Sequence, residues 1–178
     1  MAFGDQPIQK AVIDTGLLLD VLILEYFRNS RAGNQKAILD RSKLSSYLAR
    51  SPFLRERLLP WFESIPVVLT TTHVIAELHG FRKLTRNDQR WFWQYGMEFL
   101  ERQGLDERVS IRLLDMRQRE DLRDAVYEVG PTDVGLIELV REERCTLLTN
   151  DERTLASIAW GLGLDCRLVQ QELETVGP

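Results

Sequence analysis

Cysteine is scarce in this chain: Cys145 and Cys166 are the two in 178 residues, and each opens an apolar run. Their spacing matches no metal-binding pattern, so both read as free thiols in buried strands. Histidine is as scarce. His73 stands four residues before Glu77 and could share a face with it, but no second histidine falls at the right turn to complete a ligand set. A long clean apolar run is missing too: the most apolar window, Ala11–Phe27, is broken by Asp14, Asp20 and Glu25, which excludes a membrane span. The opening residues MAFGDQPIQK have no apolar core of the kind a signal peptide needs, and a reducing cytoplasm is the expected setting. There are no repeats, no low-complexity segments and no clear linker. Positive charge is not in surplus either, with a net charge of −4 and a sequence pI of about 5.3. That balance argues against a nucleic-acid partner. If four acids hold a cation, however, the remaining surface is balanced, so composition neither supports nor excludes RNA.

What is present is an alternation of short buried strands and helices. A hydrophobic share of 44% and a charged share of 28% are ordinary for a globular chain of this length, long enough for one domain with a real core. Ala11–Asp14 is a short apolar run ending in an acid, followed by Leu17–Phe27, which is too long for a strand. This predicts a buried parallel strand running into a helix, with Thr15 as the helix cap. Asn29–Asn34 reads as a polar loop, and Gln35–Arg50 and Pro52–Ile65 as helices. Val67–Thr71 is a second strand, and from Thr72 the period turns helical through Val74, Ile75, Leu78 and Phe81. Asn87–Gln103 is a further helix, Val109–Leu114 is extended, and Arg117–Val129 and Thr132–Glu143 are helical. Thr146–Thr149 is a strand, Glu152–Leu162 a helix and Cys166–Val169 a last strand, with Gln170–Pro178 expected to fray. The architecture predicted is a three-layer α/β/α sandwich around a parallel sheet, a single domain over 1–178 with a helical elaboration over 29–66.

Four acids converge on one edge of such a sheet. Asp14 ends the first strand, and Glu77 lies about one and a half turns into the helix after the second. From Asp133 the helix runs roughly 16–18 Å at 1.5 Å per residue. The strand before Asp151 then returns roughly 16–20 Å at about 3.3 Å per residue, which brings Asp151 back to the same rim. Strand order decides whether the four are neighbours, and the sequence does not state it. Carboxylates within a few ångströms of one another repel and raise one another's pKa unless a cation joins them. An oxygen-only donor set suits Mg²⁺ or Mn²⁺. Such ions favour phosphate oxygens, and the matching chemistry is hydrolysis of a phosphodiester by an activated water.

The segments AVIDTGLLL, THVIAELHG, GPTDVGLIELV and LLTNDERTLASIAWGLGL, in that order, resemble the PIN-domain nucleases, and among them the VapC-like toxins of toxin–antitoxin pairs. The likeness spans the chain apart from the helical Asn29–Ile65 region. It implies a metal-dependent endoribonuclease in which Asp14, Glu77 and Asp133 are the core acids, binding Mg²⁺ or Mn²⁺. Asp151 is the fourth, in a Thr-x-Asp element with Thr149. Thr15 and Thr149 would orient the carboxylates or the water. An RNA substrate, a protein antitoxin and a homodimer are the partners the resemblance implies. Arg82, Arg86 and Arg90, spaced by four, form a stripe that is either a solvated face or a set of phosphate contacts. The aromatics Trp91, Phe92, Trp93, Tyr95 and Phe99 read as core before partner surface. Asp20, Glu138, Glu152 and Asp165 read as structural or solvated acids. Two other functions compete. A phosphatase of the haloacid-dehalogenase type wants a second Asp where this chain has Gly16, and a non-catalytic PIN-like binding module would usually lose one of the acids.

Overall fold

The computed structural model describes residues 7–29, 44–80, 86–105, 109–112 and 130–175. Its centre is β1, Lys10–Ile13, in which Ala11, Val12 and Ile13 have no exposed surface. A strand this apolar on both faces needs cover on both faces, and the sheet supplies it. β1 pairs in parallel with β2 (Val67–Thr71) on one side and with β4 (Thr146–Thr149) on the other. β3 (Val109–Arg112) and β5 (Cys166–Leu168) complete a five-stranded parallel sheet of order β3-β2-β1-β4-β5. The strand sequence advances in one direction from β1 to β3 and then crosses back to the far side of β1. Right-handed crossovers therefore put the helices that join β1, β2 and β3 on one face and those that join β3, β4 and β5 on the other. This is the α/β/α sandwich expected, with a switch point between β1 and β4.

The first helix, α1 (Thr15–Arg28), buries nine consecutive residues from Leu17 to Glu25. A helix apolar nearly all round must be enclosed. It packs on β4 and against α3 (Pro52–Glu63), α4 (Thr72–Gly80) and α5 (Arg86–Leu105). Opposite β1, β2 and β4 lies α6 (Pro131–Glu143).

Several boundaries differ from the sequence reading. The helix expected from Gln35 to Arg50 is seen only as α2, Ser46–Arg50, and residues 35–43 lie outside the described residues. It cannot run unbroken through Ser45, whose N–H is taken by the Asp20 carboxylate rather than by a carbonyl one turn back. The helix after Asp151 opens as a π-helical turn, Glu152–Ala156, because the Ala156 N–H reaches back five residues to the Asp151 carbonyl; α7, Ser157–Gly161, continues it. The tail expected to fray from Gln170 is instead α8, Val169–Thr175. Val169 and Leu173 are fully buried one turn apart, against β5 and α3, and that burial holds the segment. The helix expected over Arg117–Val129 lies outside the described residues, as do most of the loop Asn29–Asn34, Phe81, and residues 113–114 of the stretch read as extended.

Candidate metal centre

Parallel sheets bind ligands beyond the carboxyl ends of their strands, at the point where the helices change face. Here that point lies between β1 and β4. Their register pairs Ile13 with Leu148, so the next residues along, Asp14 and Thr149, stand side by side. The Thr149 hydroxyl donates to Asp14 Oδ2 and accepts from the Asp151 N–H at 2.9 Å. One hydroxyl thus links the two strand ends. Asp14 Oδ1 accepts from the Leu17 N–H at 2.6 Å, so Asp14, and not Thr15, is the cap of α1. Thr15 turns its hydroxyl instead to Glu77 Oε2, at 2.7 Å. Asp151 caps the π-helical turn through the Thr154 N–H at 3.1 Å.

Asp14, Glu77, Asp133 and Asp151 line one cavity of about 330 Å³, together with Thr15, Gly16, Ser45, Asn150 and Leu155. Among the described residues, no lysine, arginine or histidine is part of its walls. The electrostatic consequence falls on the acids themselves. Burial, followed by the charges of Glu77, Asp151 and Asp14, pushes the Asp133 carboxyl up to about 6. Burial raises Asp14 as well, and its hydrogen bonds from Leu17 and Thr149 oppose the rise. An anionic pocket with oxygen donors alone fits a hard divalent cation and little else.

The acids share the cavity without closing into a ready ligand cluster. Among the described residues, no three His, Cys, Asp or Glu side chains stand at metal-holding spacing. The sequence reading expected a gap of only a few ångströms. Three of the four are instead tied to a helix N–H or a threonine hydroxyl, which sets where each carboxylate stands.

Ser45, Asn150 and Leu155 are cavity residues that the sequence reading missed. Asn150 was within reach, being next to Asp151 in TND. Nothing in the sequence marks Ser45, 31 positions after Asp14 in the elaboration. Arg82 and the side chains of Arg86, Arg90, Trp91, Phe92 and Trp93 lie outside the described residues; Tyr95 is half-buried edge-on to Tyr26, and Phe99 is core. Asp20 and Glu138 are buried, while Glu152 is exposed. A larger cavity of about 510 Å³ opens on the opposite rim of the sheet. Its Lys10, Arg141 and Arg167 are ion-paired with Glu143, Glu138, and Asp165 and Glu172, and Arg144 lines it as well.

No helix among the described residues is long and apolar enough to cross a membrane. No curated protein matches the chain. Residues 37–161 match the sequence pattern of the family described as PIN domain, a stretch that holds Glu77, Asp133 and Asp151 and begins after Asp14. That match covers well over half the sequence and agrees with the sheet and its acidic rim: the chain belongs to the PIN domain family, whose members are generally metal-dependent nucleases that bind RNA.

Proposed function

We propose that this protein is a divalent-metal-dependent endoribonuclease, with Asp14, Glu77, Asp133 and Asp151 holding Mg²⁺ or Mn²⁺. The observation that carries the reading is the cavity itself. Four acids from four separate segments meet there, and among the described residues no basic side chain lines the cavity to neutralise them. Keeping such a group together costs stability, a cost that functional sites commonly carry.

A bound ion would lower the pKa of the attacking water and offset the charge gathering on the phosphate oxygens. The rest falls to the chain. Leu17 N–H and Thr149 hold the Asp14 carboxylate in one rotamer, Thr15 holds Glu77, and the Thr154 N–H holds Asp151. These ties fix where the cation and the scissile phosphate can sit relative to the sheet edge. The water oxygen bonds to phosphorus as the bond to the leaving ribose oxygen breaks. Arg82, Arg86 and Arg90, on the stretch after α4, would meet flanking phosphates.

The finer identity is a toxin of the VapC-like kind, acting in the cytoplasm as a homodimer and silenced by a protein antitoxin. What supports it is the order and setting of the four acidic motifs. Growth arrest on expression, relieved by Asp14→Asn, tests the toxin reading. Labelled RNA incubated with Mn²⁺, with and without EDTA, tests the nuclease: cutting should require the ion. An Asp14→Asn variant that cuts as well as wild type would rule out the assignment.

A further inference from the structure

Asp20 is an acid inside α1 with 1% of its surface exposed, and it is not among the residues lining the cavity. Both of its oxygens are spent on one residue. Oδ1 accepts from the Ser45 N–H at 2.9 Å and Oδ2 from the Ser45 hydroxyl at 2.5 Å. Ser45 is itself a wall of the acidic cavity. Two residues on, the Tyr47 hydroxyl accepts from Asn150 Nδ2 at 2.9 Å, and Asn150 Oδ1 accepts from the Gln170 N–H at 3.0 Å. The arm Leu44–Arg50 is thereby fastened to α1, to the turn after β4 and to the start of α8. It is part of the cavity, not an appendage.

The fastening also sets a polarity. A serine hydroxyl has one proton, and here Asp20 takes it. Toward the cavity the Ser45 oxygen can then only accept. An acceptor beside a phosphodiester site has a natural donor in RNA that DNA lacks, the ribose 2′-hydroxyl. We propose that Ser45 contacts the 2′-hydroxyl of a nucleotide bound in the cavity and selects RNA over DNA. Asp20 is the positioning residue that turns its hydroxyl, and Tyr47 and Asn150 hold the arm in place. This rests on the nuclease reading and specifies the sugar of its substrate.

The test uses one short single-stranded sequence made as RNA and as DNA. Fluorescence anisotropy with the full chain reads binding, with Ca²⁺ in place of Mn²⁺; cutting is followed separately in Mn²⁺. Wild type should prefer RNA about tenfold, the scale of one hydrogen bond. Ser45→Ala should lower RNA affinity to the DNA level and change DNA affinity less than twofold. Asp20→Asn keeps a partner for the Ser45 N–H but offers the hydroxyl a donor, which frees the serine proton toward the cavity. It should erode the RNA preference while thermal melting shows the variant folded. Equal binding of RNA and DNA by wild type, no binding of either, or equal losses for both in Ser45→Ala would overturn the inference. RNA-selective binding with no Mn²⁺-dependent cutting would uphold it and sink the nuclease reading. Cutting of RNA and DNA at equal rates would do the reverse.

Discussion

At the scale of single residues, the acidic cavity trades stability for chemistry. Asp133 and Asp20 both titrate near 6 when folded, against 3.8 for the ordinary side chain, and burial is the chief cause in each. A carboxyl whose pKa rises on folding binds its proton more tightly in the folded state. The stability it adds is full below about 4 and is lost as pH climbs through about 6. Without divalent ions, the melting temperature should therefore fall between pH 4.5 and 7, as calorimetry across that range would show. Mn²⁺ should raise it more at pH 7 than at pH 5, and ion present at 100 times its Kd would add about 2.7 kcal/mol. Asp133→Asn removes a crowded charge; it should cut activity at least a hundredfold while raising the metal-free melting temperature by about 2–4 °C at pH 7.5. Thr149→Val keeps the volume but takes the hydrogen bond from Asp14. The expected result is roughly tenfold lower turnover, and a higher Mn²⁺ concentration for half-maximal activity, in a folded protein.

At the scale of elements, what could be read from sequence was whatever local periodicity encodes. β1, α1, β2 and β4 are long or apolar enough to announce themselves, and their boundaries stand within a residue or two of the reading. The errors fall where a distant partner takes over a backbone group. Asp20 captures the Ser45 N–H and breaks the expected helix at that residue, and packing on α3 converts a short, polar-looking tail into α8. No window of local sequence contains those partners. α8 should consequently depend on its two anchors. Leu173→Ala should cost about 2–4 kcal/mol in denaturant melts and speed amide exchange through Val169–Thr175. If the protein loses stability with α8 still protected, the anchor is elsewhere.

For the whole molecule, the parallel sheet has two unlike rims. Cations and acids pair off around the amino ends of β1, β4 and β5, whereas at the carboxyl ends acids gather with no basic wall among the described residues. The order β3-β2-β1-β4-β5 puts the change of helix face at the acidic rim. If Arg82, Arg86 and Arg90 hold an RNA strand through its phosphates, activity should fall steeply as salt rises from 50 to 200 mM. An activity that ignores salt would point to a small-molecule phosphate ester instead.

The sequence alone determined the class of fold, because short apolar strands alternating with longer helical periods allow few packings other than a covered parallel sheet. It also determined that four acids would lie at carboxyl ends, since each follows its strand or opens its helix at a set distance. Which strands are neighbours was decided only in three dimensions, by which crossover covers which face. So was the part played by Ser45 and Asp20, since a contact between an arm and a buried helix across 25 positions leaves no periodic trace in the chain.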